Sequence, residues 1–151
     1  MARAETAEIL VLAVEDSSDD YLLIEQGFGK MEQIRLVGRV ADGEEAIAYL
    51  KGDGKYADRE KFPFPDLLLL DLKMPGMDGF DVLRWLQTAS FPKLVVVVLS
   101  GSERRDDMSR ALQLGAHYYQ TKQIDLAQQI RMLNLVEQYM AANTVEARTD
   151  R

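Results

Sequence analysis

Four apolar bursts punctuate the chain, at 8–14 (EILVLAV), 33–40 (QIRLVGRV), 66–70 (DLLLL) and 93–99 (KLVVVVL). All but the second run without alternation, as strands covered on both faces do. A weaker fifth strand is read at 117–121 (HYYQT). Helical spacing of apolar positions fills the gaps, at 18–30, 43–51, 79–89, 103–114 and 125–142. Strict alternation of strand and helix predicts an α/β fold: a doubly wound, five-stranded parallel sheet with five helices on its two faces. The connection at 52–65 (GDGKYADREKFPFP) far exceeds the usual roughly 2–6 residues. Its glycine, proline and charge place it on the surface. Residues 8–142 are expected to form one domain, with 1–7 and 143–151 as terminal extensions and no output domain following.

Charge and composition then exclude whole classes of function. With 18 Lys+Arg against 25 Asp+Glu the chain is acidic, at net −7, which argues against nucleic acid or an anionic membrane as partner and for a cation or a basic protein surface. Cysteine is absent, so thiolate catalysis, disulfides and Cys-based zinc sites are excluded. The first apolar run is too short for a signal peptide or a membrane span, and a cytoplasmic protein is expected.

In a parallel sheet the residues just past the strand ends share one crevice. Here they are Glu15 and Asp16 after the first strand, Asp71 after the third, Ser100 after the fourth and Lys122 after the fifth. Singly, each has an ordinary reading as a solvated acid, a turn former, a helix cap or a surface charge. Together they describe a chemistry. Clustered carboxylates repel one another unless a divalent cation sits among them, and an oxygen-only, open donor set suits Mg²⁺. Asp71, at the tip of the central strand, is placed to attack phosphorus and form an aspartyl phosphate, with Lys122 and Ser100 on the phosphoryl oxygens.

These residues stand in AVEDS, LLLLDLKMPGMDGFDVL, VVVLSGS and GAHYYQTK, and over about 8–142 the chain resembles the receiver domains of two-component response regulators. The resemblance implies a strand order of 2-1-3-4-5. It implies that Asp71 accepts a phosphoryl group from a sensor histidine kinase or phosphotransfer protein. Asp16, Asp71 and the Lys73 carbonyl would contact Mg²⁺ directly, and Glu15 would act through water. Ser100 and Tyr119 would move together as a switch, reshaping the face of the fourth helix, fifth strand and fifth helix for a downstream protein.

Rival readings are weaker. A haloacid-dehalogenase-type phosphatase needs a second acid two residues after the nucleophile, where this chain has Lys73. A flavin binder needs a phosphate-cradling loop after the first strand, where EDSSDD would repel phosphate. A receiver working as an unphosphorylated binding module remains a third reading. His117 lies outside the crevice set and is expected on the surface, and Tyr118, Trp85 and the methionines are expected to pack. The broad apolar arc of the last helix, centred on Leu126, Ile130, Leu133 and Met140, points to a homodimer or a docked partner. Gln123 replaces the proline usual after the family's lysine. A cis bond there would cost about 2.5–4 kcal/mol, so a trans Lys122–Gln123 peptide is expected.

Overall fold

The computed structural model describes residues 8–29 and 31–122, together with Ala127, Ile130, Arg131, Asn134, Glu137 and Gln138, which are helical. Five parallel strands, β1 (Ile9–Val14), β2 (Ile34–Val40), β3 (Leu67–Leu70), β4 (Val95–Ser100) and β5 (Tyr118–Thr121), form one sheet in the order β2-β1-β3-β4-β5. Helices α1 (Ser18–Phe28), α2 (Gly43–Lys51), α3 (Gly79–Thr88) and α4 (Arg105–Gln113) connect them. Most of the expected fifth helix, with Leu126, Leu133 and Met140, lies outside the described residues, as do Gln123 and the terminal extensions.

The four leucines of β3 show why the sheet is doubly covered. Successive side chains of a strand point to opposite faces. Leu68 and Leu70 enter a core with Val96, Val98 and residues of α2, α3 and α4, among them Tyr49, Leu50, Val82, Leu83 and Ala111. Leu67 and Leu69 enter a second core with Val95, Val97 and with Ile24 and Phe28 of α1. None of the four exceeds 2% exposure, so the central strand has no polar face. Truncating any of them to alanine belongs to the class of core change that costs about 2–5 kcal/mol.

Polar side chains cap the starts of α1, α2 and α3. Ser17 accepts the Asp20 N–H at 3.2 Å and Asp42 accepts the Glu45 N–H at 2.8 Å. Asp78 and Asp81 form a reciprocal capping box at the start of α3, with bonds of 3.0 and 3.1 Å. Left-handed Gly76 (φ 72°) makes the preceding turn, and left-handed Gly52 (φ 74°) closes α2.

The 52–65 connection is more ordered than its composition implies. A short 3₁₀ turn, Gly54–Ala57, brings Tyr56 into the core, with its ring 4.7 Å from Tyr49 and 5.0 Å from Phe62. Its hydroxyl donates to Glu45 Oε2 at 2.8 Å. Arg59 reaches back to the last carbonyls of α2, donating to Leu50 O (3.1 Å) and to Tyr49 O (2.9 Å), which also accepts the Gly52 N–H, and to Phe62 O (3.2 Å). Arg59→Ala removes the guanidinium donor from the Leu50 and Phe62 carbonyls, while Tyr49 O keeps the Gly52 N–H, and is expected to destabilise the fold by about 1–3 kcal/mol. Urea unfolding, with faster amide exchange confined to 54–62, would show it; an unchanged midpoint would mean that the aromatic packing alone holds the segment.

Candidate functional site

The sheet's hydrogen bonding continues past the strand ends, and this fixes the reactive residues. The Glu15 N–H donates to Val40 O (3.0 Å), the Asp71 N–H to Val14 O (3.0 Å) and the Lys122 N–H to Ser100 O (2.7 Å). These three side chains therefore leave from backbone already held by a neighbouring strand. α3 is pinned to the same edge, since the Gly79 N–H donates to Leu72 O at 3.0 Å.

Glu15, Asp71 and Ser100 are the buried polar side chains among the described residues, at 2%, 5% and 0% exposure. Carboxylate oxygens of Glu15, Asp16 and Asp71 lie within 4.8 Å of one another. Lys122 Nζ sits among the acids, 2.7 Å from Glu15 Oε1, 2.8 Å from Asp20 Oδ2 and 3.2 Å from Asp71 Oδ2. The other Asp71 oxygen, Oδ1, accepts the Lys73 N–H at 3.3 Å.

Two of the acids are pushed toward their neutral forms, chiefly by burial. Burial is the largest influence on Glu15; the Lys122 hydrogen bond opposes it, the Asp71 charge reinforces it, and the carboxyl is pushed up to about 7. Burial likewise raises Asp71 above the ordinary aspartate value, against the pull of Lys122. For Lys122 burial works to lower the pKa, but hydrogen bonds to Asp20 and Glu15 and the charge of Asp71 outweigh it, so the ammonium stays charged. A hard divalent cation on these oxygens would relieve the repulsion, and the donor set fits such an ion.

The remaining expected residues are all at this edge. Ser100 ends β4 with its Oγ accepting the Ser102 N–H at 3.2 Å. Tyr119 is turned inward: its hydroxyl donates to Ser102 O at 2.9 Å and its ring packs on the core of β3 and β4. Ser102 thus joins the end of β4 to β5. Sequence reading missed Ser102, which also donates to Asp107 Oδ2 at 2.6 Å, and missed Asp20, Glu103 and Arg104 on the wall of the crevice, a cavity of about 500 Å³. His117 corrects an expectation. Its ring is half-buried beside a small apolar cavity rather than on the surface, and Nδ1 accepts the Val96 N–H at 3.0 Å.

The family model for the response regulator receiver domain matches residues 11–134. The chain belongs to this family. The response regulator Rcp1 of Synechocystis sp. is 32% identical over 131 residues, covering 86% of this chain and 87% of Rcp1. A crystal structure of the phosphorylated cyanobacterial phytochrome response regulator RcpA superposes with a TM-score of 0.74 at 33% identity, covering 91% of this chain and 96% of that one. The Mn²⁺-bound form of Rcp1 gives 0.70 at 32%, covering 85% and 91%. This receiver is a phosphoaccepting response regulator, and its three clustered acids are a donor set that could hold a divalent cation. Among the described residues no helix is long and apolar enough to cross a membrane.

Proposed function

We propose that Asp71 is the phosphoacceptor, taking a phosphoryl group from the phosphohistidine of a sensor kinase or phosphotransfer protein in the cytoplasm. One observation carries this reading: three carboxylates within 4.8 Å of one another and an ammonium 3.2 Å from Asp71 share one strand-end crevice. An Asp71 carboxylate oxygen attacks phosphorus, the phosphorus–nitrogen bond to the donor imidazole breaks, and the leaving imidazole takes a proton from solvent. Lys122 meets the incoming phosphoryl oxygens as a point charge, and the Ser100 hydroxyl donates to them. Magnesium held by Asp16, Asp71 and the Lys73 carbonyl, with Glu15 behind water, would supply the charge neutralisation that lets an anionic nucleophile meet an anionic donor.

The chemistry is confined to the protein's own phosphorylation and dephosphorylation, and the output is binding. The Ser100 hydroxyl turns to the phosphoryl group, the Ser102 link passes the change to Tyr119, and the face of α4, β5 and the following helix meets a downstream protein or a second copy.

Acetyl phosphate with Mg²⁺ tests the assignment. Intact mass should rise by one phosphoryl group, and borohydride trapping with peptide mapping should place it on Asp71. No uptake, or uptake mapped elsewhere, overturns it.

A further inference from the structure

We propose that Asp20, which no strand end supplies, is a positioning residue for the phosphoryl transfer: with Glu15 it holds Lys122 so that one ammonium N–H faces the phosphoryl position on Asp71. The inference rests on the Asp71 reading above and concerns how its countercharge is aimed.

An ammonium has three N–H donors. Here three carboxylates take them, and the two shorter contacts are to Glu15 and Asp20 rather than to Asp71. Those two acids are arranged by one residue. Ser17 donates its N–H to Glu15 Oε2 at 3.2 Å and accepts the Asp20 N–H on its Oγ at 3.2 Å, so the loop acid and the first turn of α1 are set relative to each other. A flexible four-carbon stem would otherwise leave the ammonium free to follow any carboxylate in the crevice.

Transfer changes only one of the three partners. When an Asp71 oxygen becomes bonded to phosphorus, the carboxyl loses its own negative charge and holds Lys122 less strongly, while the phosphoryl oxygens gain the claim on that N–H. The contacts to Glu15 and Asp20 are not touched by the transfer. The ammonium therefore needs only a small tilt, not a search, to meet the phosphoryl group. The ordinary alternative is a solvated acid at a helix start. Against it stands a direct 2.8 Å pair, 102 residues apart in sequence, to a lysine side chain that is only 20% exposed.

Rates of Asp71 phosphorylation by acetyl phosphate and Mg²⁺, together with the ¹H–¹⁵N ammonium signal of Lys122 in the unphosphorylated protein, test the role. Asp20→Ala should slow phosphorylation roughly 3- to 10-fold, and Asp20→Asn, which keeps an oxygen acceptor, should stay within about twofold of the parent. The ammonium signal should be protected in the parent and in Asp20→Asn, and lost to solvent exchange in Asp20→Ala. Unchanged or faster phosphorylation in Asp20→Ala, or an ammonium signal as protected as the parent's, overturns the proposal. The ammonium signal is read without phosphate, so a parent that never accepts a phosphoryl group would defeat the Asp71 reading while the hold of Asp20 on Lys122 is still decided.

Discussion

Gly79→Ala is expected to cost more than about 3 kcal/mol, above the usual range for an added methyl group in a packed site. A Cβ at this position would lie 2.3 Å from the Asp71 carbonyl oxygen, 2.8 Å from Leu72 Cα and 3.0 Å from the Asp71 carbonyl carbon. All three obstacles are backbone, so no side chain can rotate away. The obstructed backbone is also fixed, since the Asp71 N–H is bonded to Val14 O and the Gly79 N–H to Leu72 O. Relief must therefore move α3 off the sheet or move Asp71 out of the acid cluster, and either damages the site along with the fold. Urea unfolding measures the first loss and divalent-cation affinity the second. Gly101→Ala is the matched control: its Cβ would meet nothing within 4 Å, and its stability should stay within about 0.5 kcal/mol of the parent. Parental stability in Gly79→Ala would show that the α3 start is not locked to the nucleophile.

The same stretch explains what could be read in advance. Four leucines ending on a carboxylate describe a strand covered on both faces with a charge at its tip, and a parallel sheet gathers such tips. Hence Glu15, Asp16, Asp71, Ser100 and Lys122 were legible from order and pattern alone. Strand limits shifted by up to two residues, as at β4, read from 93 and observed from Val95. Asp20 was not legible, because its partner lies 102 residues away and an acid in a first helical turn has an adequate local explanation. Tyr56 was hidden by its company: a segment of charges and glycines reads as surface, and only the neighbouring rings of Tyr49 and Phe62 show where it packs. His117 misled for a related reason. Its side chain takes a backbone N–H of the adjacent strand, a pairing that no periodicity announces.

Divalent-cation affinity should fall by up to about tenfold for each pH unit below 7, because binding must displace a proton from the acid cluster. The buried Glu15 carboxyl sits at about 7, against an ordinary 4.5, and Asp71 is raised in the same direction. Between those values the ion-free folded protein keeps a proton that the unfolded chain would release. Its stability on this account falls as pH rises from 4.5 to 7. A bound cation reverses the slope, since it favours the ionised acids that the ion-free fold tolerates poorly. Lys122 does not titrate in this window, its pKa being raised. His117 acts in the opposite sense. Burial lowers its pKa, so its contribution to stability is present above 6.5 and is lost as pH falls through the folded value. Glu15→Gln separates the two. It removes the shared proton, so the difference between parent and variant isolates the carboxylate. Mg²⁺ should therefore raise the parent's Tm much more at pH 8 than at pH 5.5, and calorimetry in buffers of different ionisation heat should register proton release on binding near neutral pH. In Glu15→Gln both the release and the pH dependence should shrink, although Asp71 leaves a remainder. An affinity that is flat from pH 5.5 to 8 in the parent would mean that the acids are already ionised, and that Lys122 balances the cluster better than burial allows.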